Sequence, residues 1–375
     1  MSPRREPDAV PTDSEASGPK GGGAEREADR EAGGEAAVGT VPVGSRGGDD
    51  TVEAVGELAA LARLLPRLPG GDDTLLGPGD DAAVVAAPDG RFVVTTDLMV
   101  HGPDFRSAWS TPFDLGWKAA ASNLADVAAM GARPTALVVA LAVPGATPVA
   151  WLEAFADGLR EGVAAMAPGV GVVGGDLSAT ATTTVAVTAF GDLGGRRPVT
   201  RDGARPGDVV AVSGALGRSA RGLDLLFRLA VDAEGRPDAA TATELRRRDG
   251  DVGWHLAPTP PVADGPLAAV AGATSMLDLS DGLALDAGRV ARASGVVVDL
   301  DPGALGDDVR VALAGGEDHS LLATFPAGTA LPGGFRPVGV VVAAGADGPG
   351  VTVAGARSGE PGGWDPYRAW AGAAG

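Results

Sequence analysis

Residues 77–97 read GPGDDAAVVAAPDGRFVVTTD. Asp80 and Asp81 close a glycine-rich turn, Ala82 to Ala86 has the make-up of a short strand, and a second strand over 92–96 ends on Thr95, Thr96 and Asp97. The pattern predicts a hairpin-like unit that collects carboxylates and hydroxyls at strand ends. Carboxylates that repel one another are costly unless a cation or protons neutralise them. Oxygen-only ligands favour Mg²⁺, Ca²⁺ or Mn²⁺ over zinc, which points to a hard-cation site of the kind that holds phosphates. Read alone, the same residues also make ordinary turn formers and β-formers at a strand end.

Working outward, 375 residues allow two domains of ordinary size, and 45% hydrophobic residues supply real cores. No run of about 18 uncharged apolar residues is present, so no membrane span is expected. The opening MSPRREPDAVPTDSE lacks the apolar core of a signal peptide, which makes the cytoplasm the expected location. The absence of cysteine excludes disulfides, thiolate metal sites and a cysteine nucleophile. A formal charge of −19 disfavours a nucleic-acid partner. No GxxxxGK[ST] motif is present, and three scattered histidines, His101, His255 and His319, argue against a histidine zinc cage.

Residues 1–50 are rich in Gly, Ala, Pro, Ser and charge without an apolar face, and are expected to form a disordered arm. Val55, Leu58, Ala62, Leu65 and Leu68 then follow helical spacing as far as Pro69. A second helix is expected from about Pro112 to Met130, with Asn123 and Asp126 on one face and Leu124, Val127 and Ala128 turned to a core. Thr135 to Val143 reads as a buried strand and Trp151 to Met166 as an amphipathic helix. Gly171 to Val173 should be a short strand delivering Gly174, Gly175 and Asp176 at its end, and Thr182 to Phe190 alternates as a half-buried strand. The whole reads as an α+β layer with carboxylates on one rim.

A boundary is expected near 191–197, giving domains over 51–194 and 195–375. Beyond it, Arg201 suits a phosphate through its bidentate guanidinium, or is a solvated linker residue. Strand 208–213 leads into GALGRSARGL, a glycine turn into a helix, and residues 233–262 have the charge and proline content of a variable excursion. In MLDLSDGLALD (276–286), Asp278, Ser280 and Asp281 repeat the pairing of acids with a hydroxyl at a strand end. Ser280 or Asp281 would also serve as a helix N-cap.

GPGDDAAVV (77–85), TTDLMV (95–100), GWKAAASNLADVAAMGA (116–132), GGDLSAT (174–180), TRDGARPGD (200–208), LDLSDGL (277–283) and GGED (315–318) occur in this order. Together they resemble the thiamine-monophosphate kinase family, within the superfamily of aminoimidazole ribonucleotide synthetase and selenophosphate synthetase, over about residues 55–367. The resemblance implies a two-domain PurM-like fold: an N-terminal α/β domain whose mixed sheet forms a homodimer, a C-terminal α/β domain, and an active site in the cleft between them. It also implies ATP-dependent phosphorylation of thiamine monophosphate with several Mg²⁺ ions.

Carried over by position, Asp81, Thr95, Thr96, Asp97, Asp126, Asp176, Asp278 and Asp281 match metal-binding places. Gly175, Asp176, Arg201 and Ser280 match nucleotide contacts, while Glu317 and Trp364 match residues that hold the thiamine part. Asp104 stands where the family commonly has a histidine, and His319 and Ser320 where it has tyrosine and glutamate. Two rival readings are a superfamily enzyme with another acceptor, such as an aminoimidazole ribonucleotide synthetase, and a silent nucleotide-binding relative. Phosphoryl transfer between two anionic molecules relies on positioning and charge neutralisation, so no protein nucleophile or general base is expected.

Overall fold

The computed structural model describes residues 50–78 and 82–357. Asp80, Asp81, Trp364 and the arm expected before Asp50 lie outside the described residues. The predicted first helix divides in two. Thr51 Oγ1 accepts the Ala54 N–H and caps α1 (Val52–Val55), and Gly56, at φ 80°, breaks the chain before α2 (Glu57–Leu64). A 3-10 turn, Leu65–Arg67, completes the segment.

The hairpin expected over 82–96 does not form. β1 (Thr74–Leu76) pairs antiparallel with β2 (Val84–Val85), whereas β3 (Val93–Val100) pairs along its whole length with a later strand. β2 is too short to satisfy eight residues of β3 backbone, and the longer partner does so without a break. Asp97 therefore stands inside a strand, three residues before its end.

Next come α3 (Pro112–Ala129), β4 (Arg133–Val143), α4 (Val149–Met166), β5 (Gly171–Ala179) and β6 (Thr184–Asp192). α3 begins with a reciprocal capping box, Thr111 with Asp114, and has Pro112 in its first turn, so its start is fixed by local chemistry. The four strands order as β3-β6-β4-β5, with β4 and β5 parallel. α3 and α4 cover one face of this sheet. They approach closely because each presents a glycine: a Cβ on Gly116 would stand 2.0 Å from Phe155 O, and one on Gly158 would stand 1.9 Å from Phe113 O. Among the described residues the other face is left open, with Val94 and Leu98 each 53% exposed.

The remaining chain gives β7 (Val209–Ser213), α5 (Arg218–Leu229), α6 (Ala239–Arg248), α7 (Gly250–Leu256), α8 (Asp264–Val270), β8 (Ser275–Leu279), α9 (Leu283–Ser294) and β9 (Val296–Leu300). A 3-10 turn, α10 (Val309–Ala314), β10 (Ser320–Phe325), β11 (Arg336–Ala343), β12 (Gly350–Val353) and β13 (Ala356–Arg357) follow. Seven strands form one sheet in the order β13-β12-β9-β11-β7-β10-β8. The stretch read as an excursion, 233–262, instead carries α6 and α7. Asp238 and Asp249 cap them, and Val252, Leu256 and Ala242 pack with Leu226 and Trp109 in a small core of their own.

One face of the seven-stranded sheet carries Leu277, Leu279, Val210 and Val298 against α9. The other carries Met276, Leu321, Ala323 and Phe325 into the same core as Leu124, Val127 and Ala128 of α3. α3 thus lies between the two sheets, with apolar neighbours on both sides. A polar side chain on such a helix is buried wherever it points, and must find partners.

Candidate active site

Four such side chains recur along α3 at intervals of four: Asp114, Lys118, Ser122 and Asp126. That spacing places them on one face of the helix. Asp114, fully buried, accepts from Thr111 and from Arg246 of α6 at 2.5 Å. Lys118 Nζ donates to Glu317 at 2.8 Å. Asp126 Oδ2 accepts the hydroxyl of Thr95 on β3 at 3.0 Å.

Asp126 meets the second sheet through Asp278, near the end of β8. Burial, reinforced by the charges of Asp278 and Asp97, pushes the Asp126 carboxyl up to about 7 against the Thr95 hydroxyl bond and His319. His319 Nδ1 lies 3.5 Å from Asp278 Oδ2, and its φ is 50°. Thr95, Asp126, Asp278 and Arg201 line one cavity of about 630 Å³, with Met276 and Val93 among its apolar walls. The structure therefore brings together the Thr95 hydroxyl of the first motif, the acid of α3, the acid of the LSDGL motif and the predicted phosphate-binding arginine. Among the described residues no group of three or more His, Asp or Glu side chains is arranged to hold a metal ion by itself. Buried acids that repel one another fit Mg²⁺, which keeps waters and takes one or two carboxylates together with substrate phosphates.

Strand alternation separates other predicted residues. Cross-strand pairs put Asp97, Val187, Val139 and Gly175 in one row on the face that carries Thr95. A Cβ on Gly175 would stand 2.1 Å from Val139 O, so this position admits only glycine. Thr96 and Asp176 point to the open face instead, Asp176 in the row of Leu98. β5 also runs three residues past Asp176, so this acid is not at the strand end that the sequence predicted. It is exposed, and its Oδ2 accepts the Ser178 hydroxyl at 2.7 Å.

Neither Ser280 nor Asp281 caps α9: Gly282 takes the cap position at φ 113°, with no side-chain bond. Asp281 is ion-paired to Arg289 at 2.5 Å, and the same arginine pairs with Asp286. Burial raises the Asp286 carboxyl to about 6 against Arg289. Asp286 and Arg289 escaped the sequence reading, since a buried acid inside an otherwise apolar helix face leaves no motif.

The GGED turn projects three consecutive side chains to three places. Glu317, at φ 61°, meets Lys118 and lies 3.7 Å from His255 Nδ1. Asp318 accepts from the Ser219 N–H and from Trp254 Nε1. His319 turns to Asp278. Burial alone would raise the Glu317 carboxyl, but Lys118 and His255 outweigh it and pull it down to about 2. Burial and Lys118 push His255 down to about 3, so its imidazole is neutral, 2.8 Å from the Ser219 hydroxyl. Asp104 joins this neighbourhood. Its carboxylate accepts the Val100 N–H at 2.7 Å, and burial, helped by Glu317 and Asp97, raises its pKa. Ser219 and His255 are additions to the predicted set, and no local spacing announced them.

Residues 79–193 match the family described as AIR synthase related protein, N-terminal domain. The chain is 44% identical over 335 residues to thiamine-monophosphate kinase of Mycobacterium tuberculosis, covering 85% of this chain and 92% of that one. It superposes on the crystal structure of thiamine-monophosphate kinase from Stenotrophomonas maltophilia with TM-score 0.66 and 34% identity, over 80% of this chain and 96% of that one. A structure described as AaThiL complexed with AMPPCP and TMP matches with TM-score 0.61 and 31% identity, over 76% and 90% of the two chains. The mixed α+β, PurM-like architecture expected from the motifs is the one these comparisons return.

Proposed function

The chain belongs to the thiamine-monophosphate kinase family, and on that premise we propose that it transfers the γ-phosphoryl group of ATP to thiamine monophosphate, giving thiamine diphosphate and ADP. One observation carries the assignment to this site. The acid pair Asp126–Asp278 and the Glu317 turn attach to the same helix eight residues apart, about 12 Å at 1.5 Å per residue. That span suits an acceptor with a phosphate at one end and a cationic ring system at the other.

An ionised oxygen of the acceptor phosphate attacks the γ-phosphorus, forming a P–O bond as the bond to the β-phosphate oxygen breaks. No protein proton is needed, and the chain's part is to hold two anions in line. Asp97, Asp126, Asp278 and Thr95 would hold Mg²⁺ near the phosphates, with Asp281 as a further ligand; Thr96 and Asp176 stand on the opposite face of the four-stranded sheet and take no part in this set, and Asp81 is outside the described residues. Bound Mg²⁺ neutralises the charge that crowds between the two phosphates. Arg201, Gly175 and Ser280 contact the nucleotide, whereas Glu317 and Asp104 face the thiamine part with Trp364, also outside the described residues.

The reading includes two α/β domains, 51–194 and 195–375, with the site in the cleft between them. It also includes a homodimer paired through the open face of the four-stranded sheet, where Phe92, Val94 and Leu98 are exposed. Asp176 lies on that face, so in such a pair it faces the other copy. We place the enzyme in the cytoplasm, where ATP is supplied, and among the described residues no helix is long and apolar enough to cross a membrane. The test is purified protein with ATP, Mg²⁺ and thiamine monophosphate, scored for thiamine diphosphate. Product with formylglycinamidine ribonucleotide and none with thiamine monophosphate would move the assignment to the synthetase branch.

A further inference from the structure

Lys20 and Lys118 are the two lysines of the chain, and Lys118 is buried on α3 at 5% exposure. Burying an ammonium is costly unless a carboxylate and good geometry compensate for lost water. Here the compensation comes from Glu317, which lies 199 residues away and approaches Nζ at 2.8 Å. Glu317 keeps 34% of its side-chain surface open, so a ligand can reach the carboxylate that the lysine holds. Its backbone is in the left-handed region, which non-glycine residues adopt only when their surroundings hold them there. The Glu317 N–H donates to Ser280 O, and the neighbouring Asp318 is tied to Ser219 and Trp254. Those bonds fix the turn, but they leave the Glu317 carboxylate to be aimed by Lys118.

Resting on the function proposed above, we propose that Lys118 is the positioning residue for the acceptor: through its bond to Glu317 it aims one carboxylate at the cationic ring of thiamine monophosphate. In the placement proposed above the acceptor's cationic ring meets Glu317 while its phosphate lies with Asp126 and Asp278, and the buried Lys118 balances the Glu317 charge from behind. An unpaired glutamate would attract the ring but repel the phosphate. A neutral site would discriminate against neither thiamine nor simple phosphate esters. ATP has no cationic ring and makes no use of this pair.

The test is steady-state kinetics of Lys118→Met, Lys118→Arg, Glu317→Gln and the double variant, with direct binding of thiamine monophosphate measured alongside. Lys118→Met is expected to raise KM for thiamine monophosphate roughly 10- to 100-fold, the range of one charge-assisted hydrogen bond. KM for ATP should stay within about twofold, since the pair does not touch the nucleotide. Lys118→Arg should recover most of the loss, and the double variant should be no worse than Glu317→Gln alone, because the lysine acts through the glutamate. An unchanged KM for thiamine monophosphate in Lys118→Met overturns the inference. So does an equal loss for both substrates, which would mark a merely structural lysine. If Lys118→Met does not fold, additive effects of Lys118→Arg and Glu317→Gln overturn it as well. Wild-type protein that forms no thiamine diphosphate refutes the function itself and is read separately.

Discussion

Replacing Asp126 by Asn should make the metal-free protein more stable and the enzyme inactive. The Asp126 carboxyl is raised from 3.8 to about 7 by burial and by the charges of Asp278 and Asp97. An acid whose pKa is higher folded than unfolded destabilises the fold above its unfolded pKa; the penalty is absent near pH 4 and complete above about pH 7. Three units at about 1.4 kcal/mol each give roughly 4 kcal/mol, and relaxation of the side chain brings the expectation to roughly 2–4 kcal/mol. Asparagine keeps the shape and still accepts the Thr95 hydroxyl, while removing the charge. In urea titrations with a chelator at pH 8 the variant should therefore unfold later than wild type, with the gap closing toward pH 4. Mg²⁺ with ATP should stabilise wild type and have much less effect on the variant, whose turnover falls at least about 100-fold. A variant less stable than wild type at pH 8, or one that keeps its activity, would refute the charge-crowding account.

Lowering the pH should cost stability through His255, a base held neutral. Its pKa falls from 6.5 to about 3, so the unfolded chain takes the proton first and stability drops as pH falls from 6.5 toward 3. Between pH 7 and pH 5 the loss is about 2 kcal/mol, and His255→Gln should show a smaller loss by that amount in denaturant titrations; equal losses would exclude it. Gly158→Ala puts a Cβ 1.9 Å from Phe113 O and should lower stability by about 1–3 kcal/mol, read as a lower melting temperature. Leu98→Glu on the open sheet face should give monomers in light scattering, and an intact dimer would relocate the interface.

Much of this site was legible because its residues come in short motifs at element ends. LDLSDGL put Asp278 near a strand end, where β8 carries it, and GWKAAASNLADVAAMGA gave a helix with Asp126 on a polar face. Misreadings arose where pairing between distant segments decided the outcome. β3 chose β6 over the neighbouring β2, and β5 continued through Asp176, so the face of each residue depended on register that no local window contains. Lys118 was part of a quoted motif, yet its role needed Glu317, far along the chain. Ser219, His255, Asp286 and Arg289 have meaning through burial and partners, and neither is a property of local sequence.

The lysine–glutamate pair also bears on how the protein comes into being. Its partners are separated by 199 residues, and the Asp114–Arg246 and Trp117–Pro258 bonds span 132 and 141. β7 finds both its neighbours, β10 and β11, more than a hundred residues later. Such long-range closure slows folding and leaves early segments waiting for late ones. A chain still on the ribosome and ending before β10 would hold a buried lysine with no counter-charge and a central strand with no neighbours. Catalytic competence should accordingly arrive late and all at once.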